Sequence, residues 1–335
     1  MPAVSSIARH APFALYVLLA VLVGGWIIDD AGISYAYARS LARGYGFVSQ
    51  PGVPPVEGFS NFLWVLALSP FMLVRVFHPV VVPKIVSAAM VWVTFRMIQR
   101  SLRRETGSDG PGWFASIALA IAPPIVIWTM SGLENALTLL LGTAFALQLA
   151  NRSDRWEIKA GVLSALLAMT HPELILLWGT GLLVCLADPP RRWRSLLTYG
   201  ASFAVPTAAF IAFRFAAFGL LLPHTYYAKR IDASVWERLA SLIRDPRALW
   251  DRIVDLVQGL GGFAGVVMIV FMLIAAAVLV SRRRLTRPIA VWLLLALNAI
   301  GAYLWMDEDW MGEYRFAPVI ILAVVVTVAR AGEAL

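Results

Sequence analysis

Residues 8–30 read ARHAPFALYVLLAVLVGGWIIDD, and this stretch decides the class of fold. A basic start is followed by an apolar run that reaches Ile28 and ends directly at two aspartates. The charged and apolar parts resemble those of a secretory signal peptide, but no small-x-small cleavage site follows them. The stretch therefore predicts a retained first membrane helix, with Asp29 and Asp30 at its far end.

The rest of the chain repeats this apolar character. The 335 residues are 60% hydrophobic and 14% charged, with a mean hydropathy of +0.76, whereas soluble domains are about 45–50% apolar and about 25% charged. We therefore expect an all-α polytopic membrane protein that forms a single domain with about ten spans. Nine further apolar runs fit spans, at about 80–98, 113–130, 133–150, 158–170, 172–187, 196–218, 262–280, 288–305 and 315–330.

The basic residues predict the orientation. They lie in alternate connections, as Arg100, Arg103 and Arg104, then Arg152, Arg155 and Lys159, then Arg191, Arg192 and Arg194, then Arg282, Arg283, Arg284 and Arg287. Such clusters mark the cytoplasmic side of a cell membrane, which places the N-terminus inside. The same clustering explains the net charge of +8 without a nucleic-acid partner. The single cysteine excludes a disulfide or a Cys-based metal site within the chain.

Residues 60–77, SNFLWVLALSPFMLVRVF, test this orientation. If they crossed the membrane, every later arginine cluster would move outside. Pro70 and Arg75 also interrupt the run. We therefore expect an interfacial helix within one long external loop, 29–79. We also expect an external amphipathic segment at 219–260, in which residues 234–258 form two helices anchored by Trp236 and Trp250.

Unusual polar stretches collect in the connections on the predicted external face. They are Asp29-Asp30, VEGFSN (56–61), SGLEN (131–135), HPE (171–173), PHTYYAKR (223–230) and DEDWMGEYR (307–315). Paired carboxylates are typical of a general base or of a hydrated helix end. External cations beside membrane entrances suit a bound phosphate or snorkelling towards lipid. His171 fits a turn residue better than a metal ligand.

These stretches, in this order, resemble the GT-C glycosyltransferases related to mycobacterial terminal arabinofuranosyltransferases. WIIDDAGISYAYARSLARGYGF (26–47) and VEGFSNFLW (56–64) resemble the start of that family, including its Gly-x-Gly turn. SGLEN, HPE, PHTYYAK and DWMGEYRF resemble its later motifs, with His171 in place of an Arg and His224 in place of an Asn. The family also places an amphipathic helix in its first external loop.

The resemblance implies a GT-C-like helix bundle and an inverting transfer of a sugar, with arabinofuranose as one candidate. The donor would be a polyprenyl-phosphate sugar, and the acceptor a cell-envelope glycan or lipid on the external face. Asp29 would be the base, Asp30 would orient it, and a divalent cation, if one is used, would bind these two residues. Lys229 and Arg315 would bind the phosphate. The residues implied to form the substrate site are Glu57, Asn61, Glu134, His171, Glu173, His224, Tyr227 and Asp309.

Two other classes account for part of the pattern. A lipid or glycolipid transporter or flippase would need polar groups within the spans, where this sequence has few ionisable residues. A non-catalytic envelope subunit would account for the helices but not for the acidic external motifs. We therefore expect a membrane glycosyltransferase.

Overall fold

The computed structural model describes residues 8–187, 192–224, 227, 244–260, 262–305 and 315–334. These residues form α-helices and two short 3-10 helices, with no strand among them. The α-helices are α1 (Ala11–Leu22), α2 (Asp30–Ala42), α3 (Phe62–Leu73), α4 (Val81–Thr106), α5 (Gly110–Ile121), α6 (Pro123–Thr129), α7 (Asn135–Asn151), α8 (Trp156–Thr170), α9 (Trp178–Leu186), α10 (Arg192–Phe218), α11 (Pro246–Gly259), α12 (Phe263–Ser281), α13 (Arg287–Trp305) and α14 (Ala317–Ala334).

Each predicted apolar run coincides with a helix or a broken helix pair. Helices α4, α10, α12 and α13 are long and apolar enough to cross a bilayer. Helices α5 and α6 make a fifth candidate if this pair, bent by 67°, is one span. The remaining runs form shorter helices that pack against these five candidates. The expected all-α class is confirmed for the part of the chain that the structure describes.

Glycine and proline explain two helix ends. Helix α1 ends at Leu22, before the predicted Ile28, because Gly24 adopts a left-handed φ of 61°. Helix α8 ends at Thr170, because the residue before a proline is pushed out of the helical region. His171 is accordingly extended, with φ −154° and ψ 133°, and a 3-10 helix at Pro172–Leu177 leads into α9.

Helices α2 and α3 form a layer over one end of the bundle. Their buried aromatic residues pack on the turn between α6 and α7, where the Trp64 indole N–H donates to the Gly132 carbonyl at 2.8 Å. The Ile28 amide also donates to the Ser131 carbonyl, at 3.0 Å. Gly132 has a φ of 90°, and a side chain there would overlap the Tyr35 hydroxyl. The glycine of SGLEN therefore fixes where this layer sits.

Helix α11 is the described part of the predicted external amphipathic segment. It begins at Pro246, and its Trp250 side chain is 63% exposed while Leu256 is buried. Residues 228–243, which include Trp236, lie outside the described residues. An exposed tryptophan on this helix suits the predicted interfacial position.

Candidate functional site

The order of the helices brings the polar motifs to one end of the bundle. Glu134 directly precedes α7, and His171 directly follows α8, which packs antiparallel to α7. Arg214 lies near the end of α10, and Arg315 lies just before α14. We call this the motif end of the bundle. The motif end is where we expect chemistry, because the described polar stretches of the sequence meet there.

Asp29 and Asp30 have different surroundings at the start of α2. The Asp29 carboxylate is exposed and accepts a hydrogen bond from the Asp30 backbone amide at 2.9 Å, as a helix N-cap does. The Asp30 carboxylate faces the Arg315 guanidinium, with 3.9 Å between Oδ2 and Nη1. Of the two, therefore, only Asp30 forms an ion pair with a described residue. Adjacent carboxylates in different settings can take different roles.

Arg315 is held by groups other than Asp30. Its backbone carbonyl accepts a hydrogen bond from the Asn135 side chain. Its guanidinium lies over the Phe316 ring, 4.9 Å from the ring centre. Phe316 also contacts the His171 ring, at 5.1 Å between ring centres. These contacts place a fixed cation beside both Asp30 and the HPE motif.

The HPE motif joins the bundle to the loop between α2 and α3. His171 is 5% exposed and pairs through Nδ1 with the Glu173 carboxylate. Its Nε2 lies 3.4 Å from the Ser60 hydroxyl. The extended backbone that Pro172 imposes on His171 allows the ring to reach both partners.

Asn61 links the same loop to SGLEN. Its side-chain amide donates to Glu134 Oε2 at 2.7 Å, and its Oδ1 accepts from the Ser34 hydroxyl at 3.0 Å. All three side chains are buried. Buried polar groups are retained where partners satisfy them, so this chain of hydrogen bonds holds Glu134 in one position.

A second ion pair lies beside this network. Glu57 is 1% exposed, and Arg214 Nε lies 2.8 Å from its Oε2. Burial raises the pKa of the Glu57 carboxyl, and Arg214 opposes that shift. The Glu57 amide also donates to Nδ1 of His224 at 3.1 Å. Sequence reasoning missed Arg214, although an arginine inside an apolar span is by itself a signal for a buried partner.

A narrow cavity begins at these polar residues. Its volume is about 50 Å³, room for a few water molecules but not for a sugar ring. Glu134, His171, Glu173 and Arg315 line its polar part, and the apolar lining residues include Leu174, Leu177, Ala299, Val319 and Ile320. We call the apolar part of this cavity the slot. A cavity with a polar part beside an apolar slot suits a lipid-linked polar group, for which the slot would have to widen.

For the remaining predicted site residues, the structure gives less information. Lys229 and Asp309 lie outside the described residues, and Tyr227 is 42% exposed. Among the described residues, no group of three or more His, Cys, Asp or Glu side chains is arranged to hold a metal ion. The two carboxylates at 29 and 30 make a poor metal site by themselves, because Asp30 already faces a guanidinium.

Comparison with known proteins found one informative likeness. No protein-family model and no curated protein matches the chain. The fold is similar to the crystal structure of ArnT from Cupriavidus metallidurans bound to undecaprenyl phosphate, with a TM-score of 0.59 and 12% identity. The match covers 96% of this chain and 60% of the ArnT chain. It confirms the expected GT-C-like arrangement of membrane helices, and at this identity it speaks to the fold alone.

Proposed function

We propose that this chain is an inverting glycosyltransferase that moves a sugar from a polyprenyl-phosphate donor to a hydroxyl of a cell-envelope glycan or lipid. The proposal rests on one observation: charged and polar side chains lie together at the mouth of an apolar slot. They are Asp30, Arg315, Glu134, His171 and Glu173. Structural likeness to ArnT, which was crystallised with undecaprenyl phosphate, supports a lipid-phosphate donor. The resemblance to the arabinofuranosyltransferases makes arabinofuranose the first sugar to test.

The chemistry requires few groups. In a single displacement, the acceptor oxygen bonds to the anomeric carbon as the bond to the phosphate oxygen breaks, and polyprenyl phosphate leaves. The phosphate is already a good leaving group, so the site needs a base for the acceptor proton and cations for the phosphate. We assign the base to Asp29, whose carboxylate is exposed and faces no described cation. We assign no step to a metal ion.

The other residues position these groups. Asp30 forms an ion pair with Arg315 and so orients the start of α2 towards the phosphate site. Arg315 and Lys229 bind the phosphate as charge-assisted donors. Glu57, Asn61, Glu134, His171, Glu173, His224, Tyr227 and Asp309 form the sugar pocket and its supports. The transfer takes place on the external face of the membrane, as the basic clusters predict.

The direct test is transfer in proteoliposomes that contain the full chain. Polyprenyl-phosphate arabinofuranose with a radiolabelled sugar is supplied with a short arabinan acceptor and, separately, with an envelope lipid extract. We expect labelled product and release of polyprenyl phosphate. Movement of intact labelled donor between leaflets without release of polyprenyl phosphate would instead support the flippase alternative.

A further inference from the structure

A second, larger cavity lies at the opposite end of the bundle. Its volume is about 410 Å³, and it is lined by Arg152, Ser153, Asp154, Arg155, Trp156, Glu157, Ile158, Arg194 and Thr198. The connection from α7 to α8 forms one wall, and the first turns of α10 form the other. The cavity and Glu134 lie at opposite ends of α7, and at 1.5 Å per residue this helix is roughly 24 Å long. The cavity is therefore distinct from the candidate active site.

Two of the cations in this cavity, Arg155 and Arg194, are weakly neutralised by the described acids beside them. Arg155 lies 3.8 Å from Asp154, but both side chains are largely exposed, which makes the pair weak. Glu157 accepts a hydrogen bond from Ser195 at 2.9 Å. Arg194 is exposed and forms no ion pair with any residue that the structure describes. Among the described lining residues, three guanidinium groups therefore stand beside two carboxylates, and this excess of cations favours an anionic ligand.

One of these arginines is held in position. The Arg152 guanidinium lies 4.9 Å from the centre of the Trp156 ring and donates to the Val184 carbonyl at 3.3 Å. Its backbone is left-handed, with φ 44° and ψ 57°, and that of Arg155 is left-handed too, with φ 54° and ψ 36°. This conformation is uncommon for long side chains. The connection is therefore a defined structure that sets its two arginines on one wall of the cavity.

Three other arginines at this end are paired with acidic residues. Arg9 and Arg103 both pair with Asp109, at 3.5 and 3.4 Å, and Arg330 pairs with Glu105. Basic residues that only mark the cytoplasmic side of the membrane do not need to line a cavity. The cluster at 152–158 and 194 combines cations and hydroxyl groups around a half-open cavity, which are the parts of a binding site.

The position of the cavity indicates what kind of anion it takes. Trp193 is 75% exposed beside Arg194, at the start of the long apolar helix α10. Ile158, in the first turn of α8, is 43% exposed. Exposed tryptophan at the start of a span is typical of the headgroup level of a bilayer. An anion held there lies where lipid phosphates lie.

We propose that this cavity binds the phosphodiester headgroup of an anionic phospholipid. The phosphate would sit between Arg155 and Arg194, with the Thr198 hydroxyl as a further donor, and Arg152 would form the back of the site. Phosphatidylglycerol fits because its only charge is the phosphate, whereas phosphatidylcholine adds a cation that the arginines repel. A soluble phosphate shares this chemistry, and the experiment separates the two sources.

The test is native mass spectrometry of the full chain in detergent, titrated with phosphatidylglycerol, phosphatidylcholine or inorganic phosphate. We expect the wild type to bind phosphatidylglycerol at least about tenfold more tightly than phosphatidylcholine. The double variant R155Q/R194Q should lose at least about tenfold in affinity for phosphatidylglycerol. R282Q is the matched control, because Arg282 is an exposed arginine at the same end and outside the cavity.

Either of two results overturns the proposal. One is unchanged affinity in R155Q/R194Q, or an equal loss in R282Q, which would make the binding a general effect of surface charge. The other is inorganic phosphate binding as tightly as the lipid and displacing it, which would assign the site to a soluble phosphate. Sugar transfer does not enter this test, so its result is independent of the proposed function.

Discussion

Adjacent residues of like chemistry have different environments at the start of α2. Asp29 caps the helix and is exposed, while Asp30 lies opposite Arg315. The sequence predicted the pair but not this division, because adjacency alone does not show which carboxylate a distant arginine reaches. Arg315 is separated from Asp30 by nearly the whole chain, and they meet only because the helices pack into one bundle.

Arg315 allows a prediction about donor binding. Arg315→Ala should weaken the affinity for a polyprenyl-phosphate sugar by roughly 1.5–3 kcal/mol, since it removes a charge-assisted contact. Arg315→Lys, which keeps the charge but not the planar fork, should lose less. The measurement is binding of a labelled donor to the reconstituted protein. Unchanged binding in Arg315→Ala would make Arg315 a structural partner of Asp30 only.

The buried pair of Glu57 and Arg214 allows a prediction about stability. Arg214→Leu should lower the free energy of unfolding by about 3–5 kcal/mol, because it leaves a buried carboxylate without its partner. Adding Glu57→Gln should recover part of that loss, since the amide carries no charge. Thermal unfolding in detergent, followed for both single variants and the double variant, measures the coupling. Additive losses would show that the two side chains do not interact.

At the scale of elements, most helices could be predicted and several of their ends could not. Periodicity and apolar length were enough for α4, α10 and α12, because the bilayer requires long apolar runs. The end of α1 depended on the backbone of Gly24, which composition does not reveal. Arg214 was missed because its partner Glu57 is distant in sequence, so the run around it was interpreted only as a span.

The predicted topology depends on helix α3 not crossing the membrane. Its 12 residues span about 18 Å, short of a core of about 30 Å, and Trp64, Val65 and Leu68 are buried against protein. We expect cysteines at 79 and 106 to lie outside and inside, respectively. Labelling of Pro79→Cys and Thr106→Cys with a membrane-impermeant maleimide, in a Cys185→Ala background, measures this. Position 79 inside, or position 106 outside, would contradict the single external face.

The contact between α8 and α10 gives a matched pair of glycine substitutions. A Cβ at Gly161 would lie 2.7 Å from the Tyr199 carbonyl oxygen of α10, so Gly161→Ala should force the helices apart and lower the unfolding temperature. A Cβ at Gly142 of α7 would have no heavy atom of another group within 4 Å. Gly142→Ala should therefore leave the free energy of unfolding unchanged or raise it by up to about 1 kcal/mol. Thermal unfolding in detergent compares them. Equal effects would contradict the observed packing.

For the whole molecule, the two ends of the bundle differ in chemistry. Carboxylates, histidines and hydrogen-bonded amides collect at the motif end, and many of the described arginines lie at the other. The motif-end cavity of about 50 Å³ is too small for a sugar ring, so donor binding must widen the slot beside Arg315 and Phe316. On the proposed function, a donor would therefore bind by widening this slot.

The most direct test of the proposed function is the effect of Asp29→Asn on sugar transfer. The full chain is reconstituted in membranes with a labelled polyprenyl-phosphate sugar and an acceptor, and donor binding is measured on the same samples. We predict unchanged folding and donor binding with a loss of turnover of about 10²–10⁴, because the amide cannot take up the acceptor proton. Asp30→Asn should be milder, since Asp30 only orients the site. Turnover equal to that of the wild type in Asp29→Asn would remove Asp29 from the mechanism, and wild-type turnover in the double variant would leave the two aspartates as a solvated helix end.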